Sequence, residues 1–267
     1  MHRVEPISPQ DVQVAVGKAI PEDVVQYARD KVARVTRRVR YRVLYAKVRL
    51  TTHRDPAVAR PVVAQATLDI SGRIVRAQVE APTAREAVDL LETRLAHRLE
   101  RIAQHWEARR GRMSTPVAHE WRHDTPRTSR LTYFPRPAGE REIIRHKSYT
   151  LSRIGIDEAA FEMDMMDYDF HLFTEAGSEQ DSVLYRTDPT GYRLAQVNPA
   201  PREHLTPFTV SLTISDQDAP VLSTTEAIDR LDLSGQPFVF FLDAEHARAG
   251  VLYRRYDGHY GLITPAE

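Results

Sequence analysis

Hydrophobic and polar positions in residues 1–112 follow two different periods. Apolar and polar residues alternate, as in strands, at 11–16, 41–52, 61–71 and 73–81. Two other stretches repeat apolar residues every three or four positions, one opening after Pro21 and one beginning at Thr83. The pattern predicts the order β-α-β-β-β-α, in which one sheet carries both helices on one side.

The C-terminal half of the chain contains one pattern twice. SVLYRTDPTGYRLAQ at 182–196 and GVLYRRYDGHYGLIT at 250–264 align without a gap at an offset of 68 residues. Carried backwards, the same offset places Glu158 on Glu226 and Phe170 on Phe238. Each copy predicts a strand, a short helix and further strands. A unit this small has a thin core, so we expect the copies to pack on a partner.

These patterns predict an α+β protein with three folded parts. The N-terminal domain spans 11–112, and its β-α-β-β-β-α layout resembles that of double-stranded-RNA-binding domains. Two tandem small α+β domains follow at 141–197 and 207–267. The intervening 113–140 carries four prolines and neither period, which predicts an extended linker. An ordered arm is the alternative, because Trp121 and its aromatic neighbours are costly to leave in water.

The formal net charge of zero conceals an uneven distribution. Residues 1–112 contain 22 Lys and Arg against 13 Asp and Glu, whereas 141–267 contain 11 against 21. A basic N-terminal part joined to an acidic C-terminal part indicates a polyanionic partner for the first and a different task for the second.

Basic residues form a stripe on each predicted helix of the N-terminal domain. The candidate RNA-binding residues are Lys31, Arg34, Arg37 and Arg38 on the first helix and Arg94, His97, Arg98 and Arg101 on the second. The second stripe has few acidic residues four positions away to neutralise it, and the arginine fork suits phosphate. A solvated helix face is the alternative interpretation. The layout favours RNA as the polyanion.

The composition argues against several classes of protein. No cysteine is present, so disulfides and a thiol nucleophile are excluded, and a cytoplasmic location is the simplest expectation. No apolar run approaches the roughly 18 residues of a membrane span. Asp164, Asp167 and Asp169 lack the glycine and terminal glutamate of a calcium loop. The sequence contains no recognisable catalytic motif, so we do not expect an enzyme. We also expect no cofactor and no metal, and neither a membrane nor a small-molecule substrate as a partner.

Two stretches carry a family resemblance. AREAVDLLETRLAHRLERI at 84–102 follows the strand pair PVVAQATLDISGRIVRAQVEA, and 143–194 ends in a VLYR segment that the second copy repeats as VLYRRYDGHYGLI. Together they resemble the long form of the ribosome hibernation promoting factors, the S30AE or ribosome-associated inhibitor family. The duplicated C-terminal domain is similar to that of dormancy-associated actinobacterial members.

The resemblance implies binding to the ribosome rather than catalysis. The N-terminal domain would bind the 30S subunit, through 16S rRNA and ribosomal proteins, at the decoding region, block mRNA and tRNA, and store inactive ribosomes during stress or dormancy. Matching positions make Lys31, Arg34, Arg94, His97 and Arg101 the rRNA contacts. His97 stands where the family usually has Arg or Lys, and Arg98 is added from the stripe.

The duplication departs from long forms with one C-terminal domain, which pairs with its copy on a second ribosome. We expect the two copies here to pair within the chain, so that it stores single 70S ribosomes. The candidate pairing residues are Phe170, Phe173, Tyr185, Phe238, Phe241 and Tyr253. His171 replaces Val239, which we interpret as complementary faces. The alternatives are a factor that forms 100S ribosome dimers, or a non-ribosomal RNA-binding regulator with an acidic protein-interaction tail.

Overall fold

The computed structural model describes residues 7–17, 20–37, 41–52, 59–109, 136–187, 191–255 and 257–266. Two compact units emerge: the first comprises 1–117 and 164–168, and the second comprises 118–163 and 169–267. Most of the predicted linker lies outside the described residues, which resume at Arg136 and include a short 3-10 helix at Ala138–Glu140.

The first unit has the predicted β-α-β-β-β-α order. Its elements are β1 (Gln13–Val16), α1 (Glu22–Thr36), β2 (Val43–Thr52), β3 (Val62–Ile70), β4 (Arg73–Ala81) and α2 (Ala84–Arg109). The sheet order is β1-β2-β3-β4, with β1 parallel to β2 and the remaining pairs antiparallel. The α+β fold class predicted from the sequence is confirmed.

Alternating burial explains how this sheet holds its helices. Every second residue of β3, from Ala64 to Ile70, is fully buried. The apolar stripes of the helices, such as Val32 on α1 and Leu95 on α2, are buried against that face. Ser71 and Gly72 both have positive φ values, as the tight hairpin between β3 and β4 requires.

The C-terminal half consists of two series of six elements, each 68 residues from its counterpart. The first series is β5 (Ile143–Tyr149), β6 (Arg153–Ile154), α3 (Ile156–Met166), β7 (Phe170–Glu175), β8 (Asp181–Arg186) and β9 (Tyr192–Gln196). The second series is β10 (Leu212–Ile214), β11 (Val221–Leu222), α4 (Thr224–Ser234), β12 (Phe238–Asp243), β13 (Ala249–Arg254) and β14 (Tyr260–Pro265). We call these series copy 1 and copy 2.

The two copies exchange their leading strands. One sheet has the order β10-β9-β8-β7-β6 and the other β11-β12-β13-β14-β5. Strand β5 comes first in copy 1 yet pairs parallel with β14 of copy 2, and β10 comes first in copy 2 yet pairs parallel with β9 of copy 1. The leading strand predicted for each copy therefore completes the sheet of the other. Among the described residues, no helix is long and apolar enough to cross a membrane.

Candidate nucleic-acid interface and pairing interface

Helices α1 and α2 run side by side in the same direction. Tyr27 donates a hydrogen bond to Asp89 at 2.6 Å, and one turn later Lys31 contacts Glu92. These partners are 62 and 61 residues apart. The same register, carried one further turn, brings Arg34 and Arg37 level with the part of α2 that contains His97.

Lys31 is held by carboxylates of the neighbouring helix. Its Nζ lies 2.5 Å from Glu92 and 2.9 Å from Asp89. The hydrogen bonds to Glu92 and then to Asp89 raise the pKa of Lys31 against the opposing effect of desolvation. Lys31 is therefore charged but already neutralised, and its predicted contact with RNA stays a prediction.

Three of the candidate RNA-binding residues form an exposed basic set: Arg34, Arg37 and His97. None of them forms an ion pair with another described residue. Arg38, which the sequence also assigned to this surface, lies outside the described residues. The exposed basic set is thus the part of the predicted surface that is open to a large polyanion.

The arginine cluster of α2, defined as Arg94, Arg98 and Arg101, is engaged by two carboxylates within the first unit. Asp167 Oδ1 accepts from Arg94 at 2.7 Å and from Arg98 at 2.6 Å. Arg101 donates to Asp164 Oδ2 at 2.6 Å. The stripe predicted from the sequence is present, but its guanidinium groups have acidic partners far away in the chain.

Arg98 is the member of the cluster that departs furthest from the prediction. Its side chain is only 8% exposed and also donates to the carbonyl oxygens of Arg76 and Asp164. Burial lowers the pKa of Arg98 to about 10, although Asp167 opposes the shift. The side chain turns inward to satisfy backbone carbonyls, so Arg98 is buried rather than exposed, and its addition to the RNA contacts stays a prediction.

The candidate pairing aromatics divide into two groups. The rings of Phe170 and Phe238, which are equivalent positions of the two copies, lie 4.8 Å apart. Phe170 also meets Tyr253 at 5.6 Å, and Tyr185 meets Phe238 at 5.3 Å. These last two contacts are the same pair read from either copy, as in a two-fold isologous interface.

A shared apolar cluster surrounds these rings. Leu172 and Val183 of copy 1 pack with Ala249, Val251 and Ile263 of copy 2. Tyr253 reaches this cluster by lying against Gly261, where an added Cβ would stand 2.4 Å from the ring. The contact between copies is therefore a common hydrophobic core rather than a polar surface contact.

Phe173, Phe241 and His171 occupy the other side of their strands. Phe241 belongs to the core of copy 2 beneath α4, and Phe173 is fully buried at the equivalent position. His171 stacks on Phe173 at 5.9 Å, and its Nε2 lies 3.3 Å from Glu162 of α3. The interpretation of His171 as part of the pairing face was wrong, because strand alternation directs it towards the helix of its own copy.

Sequence reasoning missed two carboxylates that fix the connector between the copies. Glu175 is fully buried and accepts hydrogen bonds from the backbone N–H groups of Gly177, Ser178 and Thr206 and from the hydroxyls of Ser178 and Thr206. Asp157 accepts from the N–H groups of Thr209 and Val210. These contacts fix the connector against copy 1 just before β10.

A corresponding ion-pair cluster fixes β5 to copy 2. Arg141, which precedes β5, lies 2.7 Å from Asp232 of α4, and Arg254 lies 3.1 Å from the same carboxylate. Each exchanged strand thus has its own polar anchor in the copy that receives it. No pattern in the sequence linked Arg141 to Asp232, because the two residues are 91 positions apart.

The acidic residues that could have suggested a metal site do not form one. Among the described side chains, no group of three or more His, Asp and Glu is arranged to hold a metal ion. Asp164 and Asp167 are engaged by arginines instead. Taken together, the fold and the sites define a modular α+β protein with basic side chains on its N-terminal helices and an internally paired, duplicated sheet module.

Family models identify that module and the domain before it. The model described as Sigma 54 modulation protein / S30EA ribosomal protein matches residues 14–106, and the model for the C terminus of the same proteins matches twice, at 138–194 and 216–262. These matches cover most of the chain, and the chain belongs to the S30AE family.

Two relatives illustrate the range of the family. A dormancy associated translation inhibitor of Mycobacterium tuberculosis is 40% identical over 134 residues, which is 46% of this chain and 47% of the relative. The chain therefore spans about half the length of that relative. A ribosome hibernation promotion factor of Picosynechococcus is 21% identical over 178 residues, which is 67% of this chain and 92% of the relative.

Among solved structures, the crystal structure of the Thermus thermophilus Protein Y N-terminal domain is similar to part of this chain, with 23% sequence identity and a TM-score of 0.29. The match covers 34% of this chain and 98% of that one.

Proposed function

We propose that this chain is a translation inhibitor of the ribosome hibernation type, which acts by occupying the ribosome and not by catalysis. Its N-terminal domain binds the small subunit at the decoding region through basic residues of α1 and α2. Family membership supports the ribosome as partner, and the exposed basic set supports rRNA as the surface bound.

Whether the protein joins two ribosomes depends on how its two copies pair, and one observation bears on this: β5 and β10 are exchanged reciprocally between the copies. Exchange within one chain covers the aromatic interface that would otherwise pair two chains. Tethering favours this arrangement, since a short connector gives an effective concentration of about millimolar. The protein therefore stores single ribosomes and does not join two of them.

Sedimentation of purified ribosomes with the full chain tests both statements. We expect the protein to travel with 30S subunits and single ribosomes, and no ribosome dimer to form. A growing dimer peak would leave the N-terminal assignment intact and show that the copies pair between chains. Equal competition by generic duplex RNA would instead favour the non-ribosomal regulator.

Charge removal on the helices tests the RNA surface itself. In Arg34→Ala/Arg37→Ala, two exposed arginines are lost, and the salt dependence of 30S binding should become shallower by about one per lost phosphate contact. The matched control is Lys47→Ala/Arg49→Ala, which removes two exposed charges from β2. Equal losses in both variants would point to a general charge effect and against binding through the helices.

A further inference from the structure

The arginine cluster binds its carboxylates in the manner in which arginine binds phosphate. Asp167 takes one guanidinium from each of two residues on α2, and Asp164 takes a third, at 2.6 to 2.7 Å. Asp167 Oδ2 additionally accepts from the backbone N–H of Gln78 on β4 at 2.9 Å. Carboxylate and phosphate present the same acceptor geometry to arginine, so either group can occupy this cluster.

Comparison of the two copies shows that equivalent carboxylates have different partners among the described residues. Asp164 corresponds to Asp232, which in copy 2 contacts both Arg141 and Arg254. Thr209, which precedes β10 as Arg141 precedes β5, is the residue equivalent to Arg141, and it carries no charge. Asp164 contacts Arg101 of α2 instead, at 2.6 Å.

Asp167 shows the same divergence in its backbone. It has a φ of 57° just after α3, where copy 2 has Gly235 with a φ of 63°. Glycine adopts this left-handed conformation without penalty, whereas a residue with a side chain rarely does. Asp167 therefore has a strained backbone conformation, and its carboxylate forms ion pairs with Arg94 and Arg98.

We infer that Asp164 and Asp167 are internal substitutes for RNA phosphates, which hold the arginine cluster closed until rRNA displaces them. This inference rests on the proposed function of the N-terminal domain and adds its regulation. The free protein binds through the exposed basic set alone, and Arg94 and Arg101 join only after the carboxylates leave. The apparent affinity for rRNA is then the affinity of the open form multiplied by the fraction of molecules that are open.

The variant Asp164→Asn/Asp167→Gly opens the cluster and places at 167 the residue that copy 2 has at the equivalent position. Its matched control, Asp216→Asn/Asp218→Asn, removes two charges from exposed residues of the loop between β10 and β11. We expect the first variant to bind 30S subunits on the order of tenfold more tightly than the wild type, with a steeper salt dependence, and the control to change little. Equal affinity in the first variant and the wild type would overturn the inference.

Heparin retention separates this inference from the proposed function. If the wild type does not bind 30S subunits, the proposed function fails, but the opened variant should still elute from heparin at higher salt than the control. Elution of both variants at the same salt would overturn the inference. Should the opened variant fail to fold, hydrogen exchange on the wild type decides: saturating heparin should accelerate exchange of the Gln78 amide and of 164–168, and unchanged exchange counts against displacement.

Discussion

Replacement of Glu175 by alanine removes the anchor that fixes the connector between the two copies. The side chain is fully buried at the end of β7, and Thr206 donates to it through its N–H at 3.0 Å and its hydroxyl at 2.5 Å. The connector passes so close that a Cβ at Gly177 would stand 2.6 Å from the backbone of His204 and Thr206. Alanine at 175 leaves these part-buried donors without their acceptor.

The expected loss is about 2–4 kcal/mol of unfolding free energy, because several hydrogen bonds to one buried carboxylate are lost together. Hydrogen bonds to a charged group contribute about 1.5–3 kcal/mol each, and a buried donor left unsatisfied costs about 1–3 kcal/mol. These values do not add, because the donors share one carboxylate and water can enter the site when it is removed. The expected loss is a large share of the roughly 5–15 kcal/mol typical of a whole protein.

The pH dependence follows from the same hydrogen bonds. Burial alone would raise the pKa of Glu175, but bonds from Thr206 and Ser178 outweigh burial and lower it. A carboxyl whose folded pKa is lowered stabilises the protein above its unfolded pKa, near 4.3, and this contribution is lost as the pH falls through the folded pKa. The difference between wild type and Glu175→Ala should thus be full at neutral pH and shrink in acid.

Urea unfolding at several pH values, with hydrogen exchange of 204–214, measures both effects. Asp243→Ala is the control, since Asp243 is the equivalent residue of copy 2 and accepts hydrogen bonds only from Glu245 and His246 of its own turn among the contacts described. We expect faster exchange of the connector in the first variant only. A loss below about 1 kcal/mol, or equal exchange in both variants, would refute the anchor.

Two further substitutions examine the exchange of strands and the pairing core. Arg141→Ala should speed amide exchange of β5 by removing one partner of the half-buried Asp232, while Arg145→Ala, an exposed residue of the same strand, should not. If the β5 amides exchange at the same rate in the two variants, Arg141 does not anchor this strand. Phe238→Ala should lower the free energy of unfolding by about 2–4 kcal/mol in a urea titration, because its ring packs on both Phe170 and Tyr185. A loss under about 0.5 kcal/mol, the range of ordinary surface substitutions, would place the pairing core elsewhere.

The order of elements could be predicted from the sequence, whereas the exchange of strands could not. Period-two alternation and the 68-residue repeat identify each strand locally. Both sheets, however, offer the same edge to a leading strand, since β9 and β14 are copies of one another. The choice between them depends on the anchors Glu175 and Arg141, whose partners are distant in sequence.

The basic surface was only partly predictable for a related reason. The helical stripe places the arginines on one face of α2, and the scarcity of acidic residues one turn away predicts that few of them are neutralised. Their neutralising partners come instead from other elements: α2 supplies Glu92 to Lys31, and residues 164 and 167 supply carboxylates to the arginine cluster. Charge patterns within one helix do not report on charges that the fold brings to it.

Duplication within one chain permits a division of roles that a symmetric dimer does not. In a homodimer, one residue must serve at both equivalent positions, so a change that favours one site is imposed on the other. Here the pairs have diverged: Glu175 fixes a connector where Asp243 caps its own turn, and Asp167 contacts arginines where Gly235 ends a helix. The shared aromatic contacts keep the pairing two-fold, while the residues around them are free to differ. That asymmetry is what a protein gains by carrying both halves of its interface: Asp167 can contact Arg94 and Arg98 because Gly235 does not have to change with it.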